Sequence, residues 1–139
     1  MTRRSIEAVW AGGNAIGAWL MLLVLGGGAG VILRATVSAW AATRWPSGHA
    51  GALIVNVVGC GLFGLLAPSC PPGGSARIAM LVGFFGGLTT FSSYAFDVVQ
   101  SAETGRWERA ALLLALHNGL GLSAMVAGLW LGRRLFGVG

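Results

Sequence analysis

The chain has 139 residues, 55% of them hydrophobic and only 9% charged. A water-soluble domain carries about 25% charged residues, so a chain this poor in charge has lipid as its natural solvent. All nine basic residues are Arg and the net charge is +5, but they stand singly or in pairs between apolar runs, with no basic stripe or aromatic-interleaved patch. That pattern argues against nucleic acid as a partner.

Residues 1–14 form a polar N-terminal extension in which Arg3 and Arg4 look like the start of a signal peptide. The apolar stretch behind them begins only at about Ala15 and outlasts a signal core, so it is read as a retained first helix, Ala15 to Leu33, closed by Arg34. Thr43 to His49 leads to a second apolar segment, Ala50 to Ala67, stopped by Pro68. The Pro- and Gly-rich loop Pro68 to Ala76 leads to a third, Ile78 to Phe96, ending at Asp97. Glu103 to Arg109 leads to a fourth, Ala110 to Gly132, ending at Arg133 and Arg134. A helix crosses a bilayer with about 20 apolar residues. The reading is therefore an all-α membrane protein with a four-helix transmembrane domain at 15–134 and a short C-terminal tail at 135–139. Trp40, Trp45, Trp107 and Trp130 fall near the segment ends, where an amphipathic ring suits the headgroup level. Barrel strands would alternate in polarity, and these runs do not.

Most of the 24 glycines are read as sites of close helix packing, since small residues let backbones approach in lipid. In the second segment Ala52, Asn56, Gly59 and Phe63 recur at helical spacing. The N-terminus, second loop and C-terminus share one side of the membrane, with Arg3, Arg4, Arg77, Arg133 and Arg134. Arg34, Arg44, Arg106 and Arg109 lie on the other. So even a distribution gives the positive-inside rule nothing to act on, and the chain is able to insert both ways and pair with an inverted copy.

Polar groups inside spans mark transport sites, because burying them in lipid is costly. The second segment offers Asn56, and the third offers Gly86-Gly-Leu-Thr-Thr-Phe-Ser-Ser-Tyr94. The fourth offers His117, Asn118 and Ser123. No carboxylate lies within a segment, whereas a proton-coupled cation exporter wants one to exchange protons for cargo. Amides and hydroxyls donate to an anion without attracting a competing cation, and aromatic ring edges are weakly positive. The paired glycines predict a break near the middle of the third helix, since each weakens a helix by about 1 kcal/mol. Carbonyls freed there are able to hold a small cation. After the break Phe91 and Tyr94 lie one turn apart on one face, beside a hydroxyl line of Thr90 and Ser93. Each feature has a plainer reading. Asn56 could simply bond two helices together, and the two rings could simply pack. His117 is read as a satisfied interior or interfacial histidine, Cys60 as a small hydrophobe and Cys70 as a loop residue. No zinc-type spacing and no disulfide is expected, and no catalytic arrangement can be assembled within the helices, so the chain is read as not an enzyme.

Three stretches, Gly27-Gly-Ala-Gly-Val-Ile-Leu-Arg34, Gly51-Ala-Leu-Ile-Val-Asn-Val-Val-Gly-Cys60 and Gly83-Phe-Phe-Gly-Gly-Leu-Thr-Thr-Phe-Ser-Ser-Tyr94, make the chain similar to the Fluc (CrcB) fluoride channel family from roughly Gly26 to Gly132. The resemblance implies an antiparallel, dual-topology homodimer with two pores. It implies passive passage of fluoride out of the cytoplasm, across the plasma (inner) membrane of a prokaryote. It implies that Asn56 lines the pore and that Phe91 and Tyr94 meet the ion with their ring edges. Thr90 and Ser93 would belong to a polar track, and Arg34 would lie by an aqueous vestibule. Backbone carbonyls of Gly86 and Thr89 from both copies would hold a structural sodium ion. Its partners would then be fluoride, sodium, membrane lipid and a second copy of itself. Two departures stand out. Tyr94 replaces the family's usual Phe. Asn118 and Ser123 are about 140° apart around a helix, so they cannot both face one pore, and neither is assigned. A dual-topology exporter of another small molecule or ion is the competing reading, and a non-conducting scaffold is a third.

Overall fold

The computed structural model describes residues 13–46 and 48–137. All but the last two residues of the expected N-terminal extension, and the last two of the expected tail, lie outside them.

The first helix, α1 (Gly13–Arg44), does not end at Arg34 as expected but runs ten residues further. Nothing between Arg34 and Arg44 breaks a helix, and the first breaker is Pro46. A charge marks where lipid gives out, not where the backbone must turn. At 1.5 Å per residue α1 is about 48 Å long, well beyond a hydrocarbon core of about 30 Å. Its last turns carry Trp40, which meets Trp45 edge to face with ring centroids 5.8 Å apart.

The second helix, α2 (Ala50–Leu66), passes into a 3-10 turn, Ala67–Ser69, where Pro68 occupies a helix-start position. Cys70 follows and is buried, and its carbonyl accepts from Arg77 Nη1 at 3.0 Å. The third span comes in pieces. A π-helical stretch, Arg77–Phe84, leads into α3 (Phe85–Leu88). Thr89 and Thr90 are extended, and α4 (Phe91–Glu103) resumes the path. The break therefore falls after the paired glycines, not on them, and α4 runs past Asp97. The last helix, α5 (Trp107–Phe136), takes in Arg133 to Phe136, which had been expected as span end and tail. It stops at Gly137, whose φ of 65° is the left-handed cap glycine adopts readily. Arg134 folds back over the Trp130 ring at 4.1 Å.

Glycines fix which helices touch. A Cβ on Gly26 or Gly30 of α1 would run into the backbone of Ala79 or Phe84, and one on Gly87 into the Gly27 carbonyl. Gly87 stays helical because α1 crosses there, which is why the chain breaks only two residues later. Likewise α2 lies on α5. A Cβ on Gly64 would sit 2.5 Å from the Met125 carbonyl oxygen and 2.9 Å from the Leu129 nitrogen. Gly128 and Gly132 of α5 press on the carbonyls of Gly61 and Leu65. Their spacing of four residues is the small-xxx-small pattern by which helices associate in lipid.

A small core of Val55, Leu81, Phe85 and Leu88 closes against Cys70. Elsewhere the outside is apolar, with Val24, Ile32, Leu122 and Val126 among many exposed side chains. Four helices, Gly17–Arg44, Ala50–Ser69, Arg77–Glu103 and Trp107–Phe136, are long and apolar enough to cross a membrane. The chain is a multi-pass membrane protein.

Candidate functional site

The break in the third span leaves backbone groups of Thr90 without helical partners, and one side chain takes them both. Asn56 of α2 donates from Nδ2 to the Thr90 carbonyl at 2.9 Å and accepts from the Thr90 N–H on Oδ1 at 2.7 Å. A primary amide carries a donor and an acceptor side by side, so it can answer the N–H and the C=O of one residue together. Thr90 also caps α4, its Oγ1 accepting the Ser93 N–H at 3.2 Å and donating to Ser93 Oγ at 3.1 Å. Thr89 is drawn the other way, its Oγ1 bonded to the Phe85 carbonyl at 2.8 Å. Its methyl fits over Gly59, where a Cβ would come within 2.6 Å.

Beside the break is a cavity of about 280 Å3, walled by Asn56, Thr89, Thr90, Phe91 and Tyr94, and from α5 by His117 and Asn118, with Cys60 at its side. The α4 N-terminus opens beside it, bringing the partial positive charge of unpaired peptide N–H groups. Among the described residues, no carboxylate or Arg lines it. Tyr94 is buried and its ring is held on both sides. It meets Phe91 edge to face at 5.5 Å and stacks on His117 with centroids 4.4 Å apart. The Tyr94 hydroxyl accepts from Asn118 Nδ2 at 2.9 Å, and that amide also donates to its own helix at Leu114. Phe91, by contrast, is 77% exposed on the subunit surface.

Of the residues singled out from sequence, Asn56, Thr90, Phe91 and Tyr94 meet at this cavity. Ser93 is exposed and reaches it only through Thr90. Arg34 lies along α1, away from the cavity wall, and Gly86 faces outward, where an added Cβ would meet nothing within 4 Å. Around Gly86 the backbone suits a small cation. The Thr90 N–H, which would continue the helical ladder onto the Gly86 carbonyl, is given to Asn56 instead. The Gly86 carbonyl, although within α3, thereby loses the donor four residues on.

Sequence reasoning passed over His117 and left Asn118 unassigned. His117 carried a usable signal, as the one imidazole, acid or base within the four apolar segments. Asn118 stood out as a polar group within a span, but nothing in the sequence names its partner, a hydroxyl 24 residues away. Ser123 lies outside the cavity, on another face of α5 beside Leu122 and Trp130, as the angle between it and Asn118 requires.

Residues 21–129 match the family model described as CrcB-like protein, Camphor Resistance (CrcB). The chain is 43% identical over 115 residues to the fluoride-specific ion channel FluC of Pseudomonas putida (strain F1), covering 78% of this chain and 91% of that one. It is 40% identical over 116 residues to the fluoride-specific ion channel FluC 2 of Synechococcus sp. (strain CC9902), covering 84% and 81%. Against FluC of Rhizobium johnstonii it is 35% identical over 120 residues, covering 83% and 96%.

Proposed function

The chain belongs to the CrcB family, and on that premise we propose that it is a subunit of a fluoride-selective channel, passing fluoride passively across a prokaryotic plasma membrane to lower its concentration in the cytoplasm. The observation that carries this reading is the cavity at the helix break, with its neutral donors, ring edges and positive helix end, and no carboxylate.

Fluoride is small and strongly hydrated, so a path for it must replace water with closely spaced donors. The second Nδ2 hydrogen of Asn56 and the hydroxyl of Ser93 supply such donors, and Thr90 orients Ser93 by donating to its Oγ. The rings of Phe91 and Tyr94 offer their positive edges. Arg34 draws anions toward a vestibule. Two copies in opposite orientations complete the path, and the carbonyls of Gly86 and Thr89 from both hold a sodium ion that fixes their junction. The open face at Gly86 and the exposure of Phe91 support this pairing.

The test is efflux from liposomes holding the purified full-length chain, with potassium permeability supplied and no proton or sodium gradient. Fluoride should leave far faster than chloride. Equal rates, or a strict requirement for a proton gradient, would refute the channel reading.

A further inference from the structure

His117 is 7% exposed, lines the cavity and has a ring nitrogen with nothing to bond to. Its Nδ1 lies 3.1 Å from the Leu113 carbonyl on its own helix. A carbonyl only accepts, so this bond needs the proton on Nδ1. In the neutral ring Nε2 is then a bare lone pair, and it is the buried atom with no partner among the described residues. Such a group calls for an explanation.

Two kinds of ligand would satisfy it. A cation could use the lone pair, but the α4 N-terminus beside the cavity is positive and, among the described residues, no carboxylate lines the cavity to offset a cation. The other route is a proton on Nε2 accompanied by an anion, which leaves the cavity neutral. Among the described residues, no charged side chain lines the cavity to do that job. From α4 it meets Tyr94. Asp97, one turn on, is at ion-pair distance, 2.9 Å, from His49. From α2 the titratable neighbour on the cavity is Cys60, and the charged residues of α5 itself are at its two ends.

We propose that His117 is a proton-linked anion site in the fluoride path: as imidazolium its Nε2–H and charge hold fluoride, and as neutral imidazole it does not. This rests on the channel reading and deepens it. Proton and fluoride binding become mutually dependent, and by linkage each strengthens the other equally. Tyr94, stacked on the ring, carries the effect to the neighbouring ring edge, because a cation over an aromatic face attracts its π-electrons.

The experiment is fluoride efflux from liposomes at sub-saturating fluoride, measured between about pH 8 and pH 6. Leak from protein-free liposomes is subtracted, since protonated fluoride crosses lipid unaided. The native chain should speed up with acidity, by up to about tenfold per pH unit for a single linked proton. The His117→Gln variant, with a neutral donor in place of the ring, should give a flat profile. Parallel profiles would overturn the proposal and leave the channel reading standing. A second readout needs no flux. In 15N-histidine-labelled full-length protein, fluoride should move the His117 ring signals toward the imidazolium pattern and chloride should not. His49 is the chain's other histidine and is identified as the signal that persists in His117→Gln. No fluoride-dependent change at His117 would overturn the proposal. A protein that passes no fluoride at any pH refutes the channel reading, and the 15N result then decides this one alone.

Discussion

Replacing Asn56 by Leu removes both bonds to Thr90 while keeping the same branched shape and number of heavy atoms. In the native chain these bonds are 2.9 and 2.7 Å long, and Thr90 is buried. The variant leaves one peptide N–H and one C=O unanswered, at about 1–3 kcal/mol each. Interhelical bonds in membranes average only about 0.6 kcal/mol, because the unfolded chain also finds partners. Together these bounds give an expected loss of about 1–6 kcal/mol. Asn56→Asp separates the two functions of the amide. It keeps an acceptor for the Thr90 N–H, loses the donor to the Thr90 carbonyl and sets a negative charge on the proposed fluoride path. It should therefore destabilise the fold as well, and it should abolish fluoride flux in whatever folded protein survives. Unfolding in mixed micelles gives the stability, and efflux normalised to folded protein gives the conduction. An Asn56→Leu protein as stable as the native chain would refute the idea that Asn56 holds the break.

Tyr94→Phe should keep most fluoride flux because the ring edge survives, whereas Tyr94→Ile and Phe91→Ile should each lose it. Normal efflux per folded protein in both Ile variants would take these rings out of the path. Gly128→Leu should prevent folding, since even its Cβ would overlap the Gly61 carbonyl and come 3.0 Å from the Leu65 nitrogen. A single sharp peak at the native position in size exclusion would show that α2 and α5 are not pressed together there. Tags at the C-terminus should be reached from both sides of the membrane, and labelling from one side only would exclude pairing of inverted copies of this chain.

The spans were legible because lipid demands long apolar runs, and nothing in the chain competes with that signal. Their ends were less so. Arg34 reads as a terminus by charge, yet α1 continues through Ala35 to Arg44, because helix ends are set by breakers and caps and none occurs before Pro46. The break was legible as an event but not as a position. Gly86 and Gly87 announce weak helix, but Gly87 is needed where α1 crosses. The chain opens instead at Thr89 and Thr90, where Asn56, 34 residues earlier, is placed to receive it. The cavity wall shows the same division. Asn56, Phe91 and Tyr94 can be picked out singly by type. Only the folded chain reveals that Asn118 holds the Tyr94 hydroxyl and that His117 backs its ring.

That hydroxyl also bears on the departure from the usual Phe. Tyr94 brings a polar group into a buried place, which is costly unless it is bonded. Asn118 meets the cost within the same subunit, so the ring can keep a fixed pose without drawing on the ion. The opposite holds on the outer face. Ser92 and Ser93 are exposed beside Phe91, and each hydroxyl retains bonding capacity beyond its contact with Thr90. Lipid offers such groups nothing, so hydroxyls at this depth favour a protein or water neighbour. Gly86 is open on the exposed surface too, with no side chain to fill it. The inner wall of the cavity is therefore furnished with its own bonding partners, while its outer side presents hydroxyls and an open glycine.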